Sequence, residues 1–251
     1  MPALESFAIV GLTFLIAGSV KGVTGLGLPS VSLALLTATL GLKAGMAILI
    51  VPSFVTNVWQ ALVGGHLQEI LRRIWGLLVA ICIATWLAAG ILAKADADLL
   101  AGLLGVVLCI YALCGLMRFE PASSGRNETW LSPIVGLVSG FLNGLTGSFV
   151  VPGVLYLQSL RFPRDGFIQS MGVLFTVSTI ALAAALRKEQ LLSRELLILS
   201  AAGVVPAIAG MVLGQIVRRR LSEDAFRTVF FAALLALGTY IAVRALSALW
   251  P

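Results

Sequence analysis

Long apolar runs alternate along this chain with short clusters of charged residues, and each run is about as long as a membrane-crossing helix, which needs about 20 apolar residues. Two of the runs are interrupted by glycine and proline. The pattern predicts helices throughout, in two similar series. They cover residues 7–20, 29–40, 44–64, 74–93 and 99–117 in the first half, and 131–145, 153–160, 167–186, 196–217 and 225–249 in the second.

The first interruption, residues 17–29, is the most unusual stretch of the sequence. It reads AGSVKGVTGLGLP and places Lys21 among four glycines and a proline. The piece before it, 7–20, would be about 21 Å long, too short to cross a hydrocarbon core of about 30 Å alone. We therefore predict a broken helix with its break at 21–28. In a membrane such a break is tolerated where protein or a water-filled cavity satisfies the backbone.

This stretch recurs 122 residues later. Five residues of the first copy have identical counterparts in the second, which pair as Leu15 with Leu137, Gly18 with Gly140, Gly22 with Gly144, Thr24 with Thr146 and Gly25 with Gly147. The second copy carries Asn143 in place of Lys21. The recurrence predicts a duplicated chain with a first transmembrane repeat at 1–117, a linker at 118–130 and a second repeat at 131–251.

The topology depends on what each broken element does. If its two pieces form one discontinuous span, the chain crosses eight times, the repeats are parallel, and seven Lys and Arg residues fall on each face. If the pieces form a hairpin, the repeats are inverted and the faces carry nine and five. The richer face would hold Arg72, Arg73, Arg118, Arg126, Arg161, Arg164 and Arg218 to Arg220. The positive-inside rule favours this second arrangement, with both termini outside and about eight to ten passages in all.

Composition fits the same class. Hydrophobic residues make up 59% of the chain and charged residues 11%, against about 25% charged in soluble domains. The expected fold is an all-α polytopic helical membrane protein. A net charge of +6 would suggest nucleic acid in a soluble chain, but here the basic residues mark loops, so no nucleic-acid partner is expected.

Lys21 is the leading candidate for a binding residue. With the Thr24 hydroxyl and the backbone amides of Gly25 and Gly27, its ammonium group would suit a small oxyanion. The alternative is that Lys21 extends to a membrane interface and binds nothing.

Neutral polar residues could complete such a site. Asn57 and Gln60 are three residues apart and share a helix face, where they either contact the ligand or join neighbouring helices. The second copy of the break would add hydrogen bonds from Asn143, Thr146, Gly147 and Ser148. Thr176, Ser178 and Thr179 are hydroxyl residues that usually bond to carbonyls of their own helix.

Several chemistries are missing from the sequence. The three cysteines lie in apolar runs, and a single histidine without acidic or cysteine neighbours builds no metal site. No Asp or Glu lies within a full span, so a carboxylate proton relay is not expected. HExxH and GxSxG motifs are absent, and the chain is not expected to be an enzyme or to need a cofactor.

At these residues the chain resembles the sulfite exporter TauE/SafE family, also called the TSUP family of organosulfur and organic-acid permeases. The stretches that carry the resemblance are GSVKGVTGLGLP at 18–29, PSFVTNVWQ at 52–60 and the second copy at 140–152. One departure is Ser148-Phe149, at the place where the resemblance leads one to expect a second glycine-rich turn. It suggests that Lys21 makes the binding asymmetric.

The resemblance implies a multi-pass carrier in the bacterial inner membrane. Its substrate would be a small organosulfur or sulfur oxyanion such as sulfite, a sulfonate or sulfoacetate. Its partners would be the lipid bilayer and a second copy of the chain in a homodimer. The alternatives are a carrier of another small organic-acid anion and a membrane assembly partner that transports nothing.

Overall fold

The computed structural model describes residues 4–218 and 222–249, and this part of the chain is 85% helical without a strand. The fold class predicted from the sequence is confirmed. The described residues form twelve α-helices: α1 Leu4–Thr24, α2 Leu28–Leu40, α3 Leu42–Ile48, α4 Ile50–Leu62, α5 Leu67–Lys94, α6 Ala97–Leu116, α7 Glu128–Thr146, α8 Gly153–Ser159, α9 Arg164–Lys188, α10 Arg194–Ala202, α11 Val204–Arg218 and α12 Glu223–Leu249.

Six helical segments in the described chain are long and apolar enough to cross a membrane. They are α1, α5, α6, α9, α10 together with α11, and α12. A seventh is obtained if α3 and α4, which meet at an angle of 44°, form one bent span. The predicted eight to ten passages included shorter helices such as α2, which has 13 residues.

The first predicted piece was wrong in its length. The helix does not stop at Val20 but runs to Thr24, and its 21 residues extend over about 31 Å, enough to cross the hydrocarbon. Lys21 therefore lies in the last helical turn and not in the break. The break is confined to the three residues after Thr24, because Gly25 and Gly27 are the ones with positive φ, at 76° and 95°.

Two other boundaries also differ from prediction. Lys43, expected in a loop, lies in α3, and the predicted span at 44–64 bends after Ile48. The polar turn expected at 66–73 is mostly helical, because α5 begins at Leu67. With 28 residues α5 is about 42 Å long, so its polar first turns can extend beyond the hydrocarbon without leaving the helix.

The helices on either side of the first break lie beside each other. Ile16 and Val20 of α1 line the same groove as Val31 and Leu35 of α2. This is the hairpin arrangement on which the inverted-repeat alternative depends. The inverted orientation stays a prediction, and two arginines of its charge count, Arg219 and Arg220, lie outside the described residues.

The chain divides into two compact units. The first comprises Met1–Pro52, Ala95–Phe119 and Leu191–Pro251, and the second comprises Ser53–Lys94 and Glu120–Gln190. Each unit combines segments from both predicted repeats. The repeat boundaries 1–117, 118–130 and 131–251 stay a prediction about the sequence.

In the first unit, α1 and α11 cross through glycines. A Cβ atom on Gly18 would stand 2.2 Å from the Ala207 carbonyl oxygen, and one on Gly22 would stand 2.2 Å from that of Met211. From the other side, a Cβ on Gly210 would stand 2.2 Å from the Leu15 oxygen. Because these glycines have no side chain, the backbones of α1 and α11 come into direct contact. Such close packing stabilises helix pairs in a membrane, where the hydrophobic effect does not drive helices together.

In the second unit, α5 and α7 pack in the same manner. A Cβ atom on Gly136 or Gly140 would lie 2.5 Å from the carbonyl oxygens of Leu77 and Ile81 respectively. Gly144 continues the series one turn later against Thr85. Of the three glycines shared by both copies of the repeated motif, the first two thus serve helix packing in each copy.

Candidate functional site

The first break is closed by Thr24. Its Oγ1 accepts a hydrogen bond from the Leu26 amide at 3.1 Å and lies 2.9 Å from the Val20 carbonyl oxygen, to which it donates. The Gly25 amide donates to the Lys21 carbonyl oxygen at 2.7 Å. The threonine thus supplies a side-chain cap for the end of α1 while the glycine turns the chain out of the helix.

The second break opens with the same turn, although it is longer, because α8 begins only at Gly153. Thr146 Oγ1 accepts from the Ser148 amide at 3.2 Å and donates to the Leu142 carbonyl oxygen at 2.7 Å. The Gly147 amide donates to the Asn143 carbonyl oxygen at 2.8 Å, and its φ of 73° is close to the 76° of Gly25. In each of these bonds, both the donor and the acceptor residue lie 122 positions after the corresponding residue of the first break, as a duplication would predict. In both breaks the threonine oxygen is occupied by its own backbone.

Lys21 is buried, with 4% of its surface exposed. It lies one residue before Gly22, whose backbone touches α11, so the lysine is held where two helices meet. Burying a cation among apolar helices is costly. The position therefore does not fit a side chain whose charged end reaches open water at an interface.

Asn143, the counterpart of Lys21, is fully buried in the second unit. Its Nδ2 group donates to Thr85 Oγ1 at 3.1 Å and to the Ser178 carbonyl oxygen at 3.0 Å. Both amide hydrogens are thus used within the protein, and the Oδ1 atom has no hydrogen-bond partner among the described residues. Asn143 can accept a hydrogen bond from a ligand or a water, but it has no donor left for an anion.

Three buried serine hydroxyls near Asn143 are available as donors. In the part of the chain that the structure describes, the Oγ atoms of Ser139, Ser148 and Ser178 lack a hydrogen-bond partner. Leaving a buried polar group unpaired costs about 1–3 kcal/mol, and such groups are normally completed by water or a ligand.

Ser178 was not singled out as a binding residue from the sequence, which favoured bonding to their own helix for Thr176, Ser178 and Thr179 of α9. Thr176 and Thr179 do bond in that way, to the carbonyl oxygens of Gly172 and Phe175, each at 2.7 Å. Ser178 differs because its hydroxyl has no such partner in the described chain. No signal in the sequence distinguishes it from its neighbours.

The pair Asn57 and Gln60 lies on α4, buried in the second unit. Gln60 Nε2 donates to the Ile168 carbonyl oxygen of α9 at 2.8 Å. Gln169 reciprocates by donating to the Ala61 carbonyl oxygen, also at 2.8 Å. Asn57 Nδ2 lies 3.5 Å from Ser53 Oγ on its own helix. For Gln60 this geometry favours the role of joining helices.

The predicted site residues fall into two groups. Lys21, Thr24, Gly25 and Gly27 belong to the first unit, around the end of α1. The second unit holds the remaining six: Asn57, Gln60, Asn143, Thr146, Gly147 and Ser148.

The family model described as sulfite exporter TauE/SafE matches residues 10–241, which include both breaks and nearly every helix. The chain belongs to the sulfite exporter TauE/SafE family. Neither a curated protein nor a solved structure matches the chain.

A TauE/SafE protein is a multi-pass membrane protein of a family that transports sulfur-related anions. The family is one of transporters and not of enzymes. Among the described residues, no group of three or more His, Cys, Asp or Glu side chains could hold a metal ion.

Replacing Gln60 with alanine tests how this TauE/SafE protein uses that amide. We expect the melting temperature in detergent to fall by about 2–6 °C, because one buried hydrogen bond between α4 and α9 is lost and an acceptor is left unpaired. Anion affinity should change little in the folded fraction. A variant that melts like the parent but binds its anion much more weakly would contradict the structural role.

Proposed function

We propose that this TauE/SafE protein carries a small organosulfur or sulfur oxyanion, such as sulfite, a sulfonate or sulfoacetate, across the bacterial inner membrane. The observation that carries the proposal is the burial of Lys21 beside a glycine break. A cation held away from water can offset the cost of bringing an anion out of water.

The first break supplies backbone in addition to charge. Gly25 and Gly27 have no side chain, so an anion can approach the main chain closely at the start of α2. The amino end of a helix carries partial positive charge and amides that are not bonded within the helix. The role proposed for Thr24 is to hold this turn open, because its oxygen is bonded to the backbone.

The second break supplies neutral groups of its own. We propose that the hydroxyls of Ser148 and Ser178 donate hydrogen bonds to the anion during transport, with Gly147 shaping the turn and Thr146 capping it. Asn143 holds Ser178 in position, because its Nδ2 group donates a hydrogen bond to the Ser178 carbonyl oxygen at 3.0 Å.

The membrane potential is proposed as the driving force. Expelling one negative charge from a cell gains about 2.3 kcal/mol per 100 mV, and a dianion gains twice that. The positions of the carboxylates support this proposal. Those on helices are found in a first turn or at a cap, as with Glu5, Glu69, Asp165 and Glu189, and not in the middle of a span. The first-turn positions suit interaction with the helix dipole, and neither they nor the C-cap position of Glu189 suit proton relay through the membrane.

Reconstituted flux is the direct test of this proposal. Liposomes that contain the protein and are loaded with sulfite should release it faster when a potassium diffusion gradient makes the interior negative. Sulfoacetate, taurine and acetate, loaded in parallel, define the substrate class.

Three outcomes would contradict the proposal. Liposomes that release none of the anions would indicate an assembly partner and not a carrier. Release that ignores the potential but follows a pH gradient would replace the driving force with proton coupling. Release of acetate in preference to every sulfur compound would show that the substrate is a simple organic acid.

A further inference from the structure

A groove on the second unit lies where α5 and α7 begin. Its volume is about 550 Å³. Arg72, Arg73 and Glu128 line the end of the groove near the start of the two helices. Apolar residues, which include Val79, Ile83 and Leu137, line the rest of it. One end of the groove is thus charged and the other is apolar.

The charged end has a net positive charge. Arg73 Nε donates to Glu128 Oε2 at 2.8 Å, its Nη2 donates to the other carboxylate oxygen, and its guanidinium group lies over the Phe162 ring. These bonds from Arg73 hold the pKa of the Glu128 carboxyl below its usual value, so the two charges offset each other. Arg72 is exposed and forms no ion pair with any described residue.

The length of the groove fits one leaflet of a bilayer. From Arg72 to Ile83 is eleven residues along α5, about 16 Å, and half of a hydrocarbon core of about 30 Å is about 15 Å. Trp75, with 66% of its surface exposed, lines the same groove near the charged end. Exposed tryptophans of membrane proteins are typical of the headgroup level.

We propose that this groove binds one anionic phospholipid, with the phosphodiester at Arg72 and an acyl chain along Val79, Ile83 and Leu137. The positive charge of Arg72 favours an anionic headgroup, and the apolar residues favour a lipid over a free phosphate ester. Basic pockets between membrane helices bind anionic headgroups by the same physics. The site is separate from the residues proposed to contact the transported anion.

Native mass spectrometry of the full chain in a mild detergent tests the proposal with two added lipids, phosphatidylglycerol and phosphatidylcholine. One phosphatidylglycerol per chain should bind, about five-fold more tightly than phosphatidylcholine, as expected for one arginine at the headgroup. Arg72→Gln should remove this preference. Arg187→Gln, which removes an exposed arginine from the end of α9 in the same unit, should keep it.

Gly76→Leu provides an independent test without a change in charge. A Cβ on Gly76 would meet nothing closer than 3.8 Å, so the larger side chain can fill the groove and should block both lipids. The proposal is overturned if the parent shows no preference, if Arg72→Gln keeps it, or if Arg187→Gln loses it equally. Glycerol 1-phosphate has no acyl chains. If it displaces phosphatidylglycerol completely, the proposal is also overturned, and the groove is a site for phosphate esters and not for lipids.

Discussion

Lys21→Gln is expected to reduce anion flux at least about a hundred-fold. Removing one partner of a buried charge pair costs about 3–5 kcal/mol, which corresponds to a factor of about a hundred to several thousand in affinity. Lys21→Ala should behave in the same way, whereas Lys21→Arg keeps the charge and should retain part of the flux. The measurement is the initial rate of sulfite release from liposomes at matched protein content.

A second lysine of the same unit provides the control. Lys43→Gln removes one positive charge from α3, and its flux should stay within about two-fold of the parent, because Lys43 is only half-buried and lies outside the proposed site. Lys21→Gln and Lys21→Ala should remain folded, since a neutral side chain is cheaper to bury than an ammonium group. Parental flux from Lys21→Gln would remove the lysine from the transport site and leave the Gly27 amide as the proposed anion donor, since the Gly25 amide is bonded to the Lys21 carbonyl oxygen.

Gly22→Ala is expected to disrupt the crossing of α1 and α11. The added Cβ would stand 2.2 Å from a carbonyl oxygen of α11, and backbone atoms cannot move away as a flexible side chain can. Overpacking of this kind costs about 1–3 kcal/mol, so we expect the melting temperature in detergent to fall by about 5–10 °C.

Gly11→Ala is the matched control, since it makes the same change in the same helix. A Cβ on Gly11 has nothing within 4 Å, and alanine has a higher helix propensity than glycine. This variant should melt at or slightly above the parent temperature. Equal losses of stability in the two variants would show that the crossing is not what makes Gly22 necessary.

The sequence predicted the helices well but could not assign roles within the glycine-rich stretch. Counting glycines placed the break at 21–28, because a glycine that packs a helix and a glycine that ends one look alike in a sequence. The structure separates them. Gly18 and Gly22 lie against α11, and Gly25 and Gly27 take the positive φ values that end the helix.

The sequence predicted where the two helix breaks lie but not which hydroxyls beside them are unpaired, and the binding site itself stays a prediction. The breaks are visible because glycine, proline and a buried lysine are rare inside apolar runs. Which hydroxyl is available depends on contacts between helices that are distant in sequence. Thr24 and Thr146 look like ligands but cap their own helices, while Ser178 resembles its neighbours and has an unpaired hydroxyl among the described residues.

The pairing of α1 with α11 has a consequence for synthesis of the protein in the cell. The glycine face of α1 belongs against a helix that begins at Val204, while α7 belongs against α5, which is made before it. Val204 follows Thr24 by about 180 residues, so at about 5–20 residues per second α1 waits about 9–36 seconds in the bilayer for its partner. During that interval the glycine face of α1 has no α11 to pack against, whereas α7 follows its partner α5 in the chain.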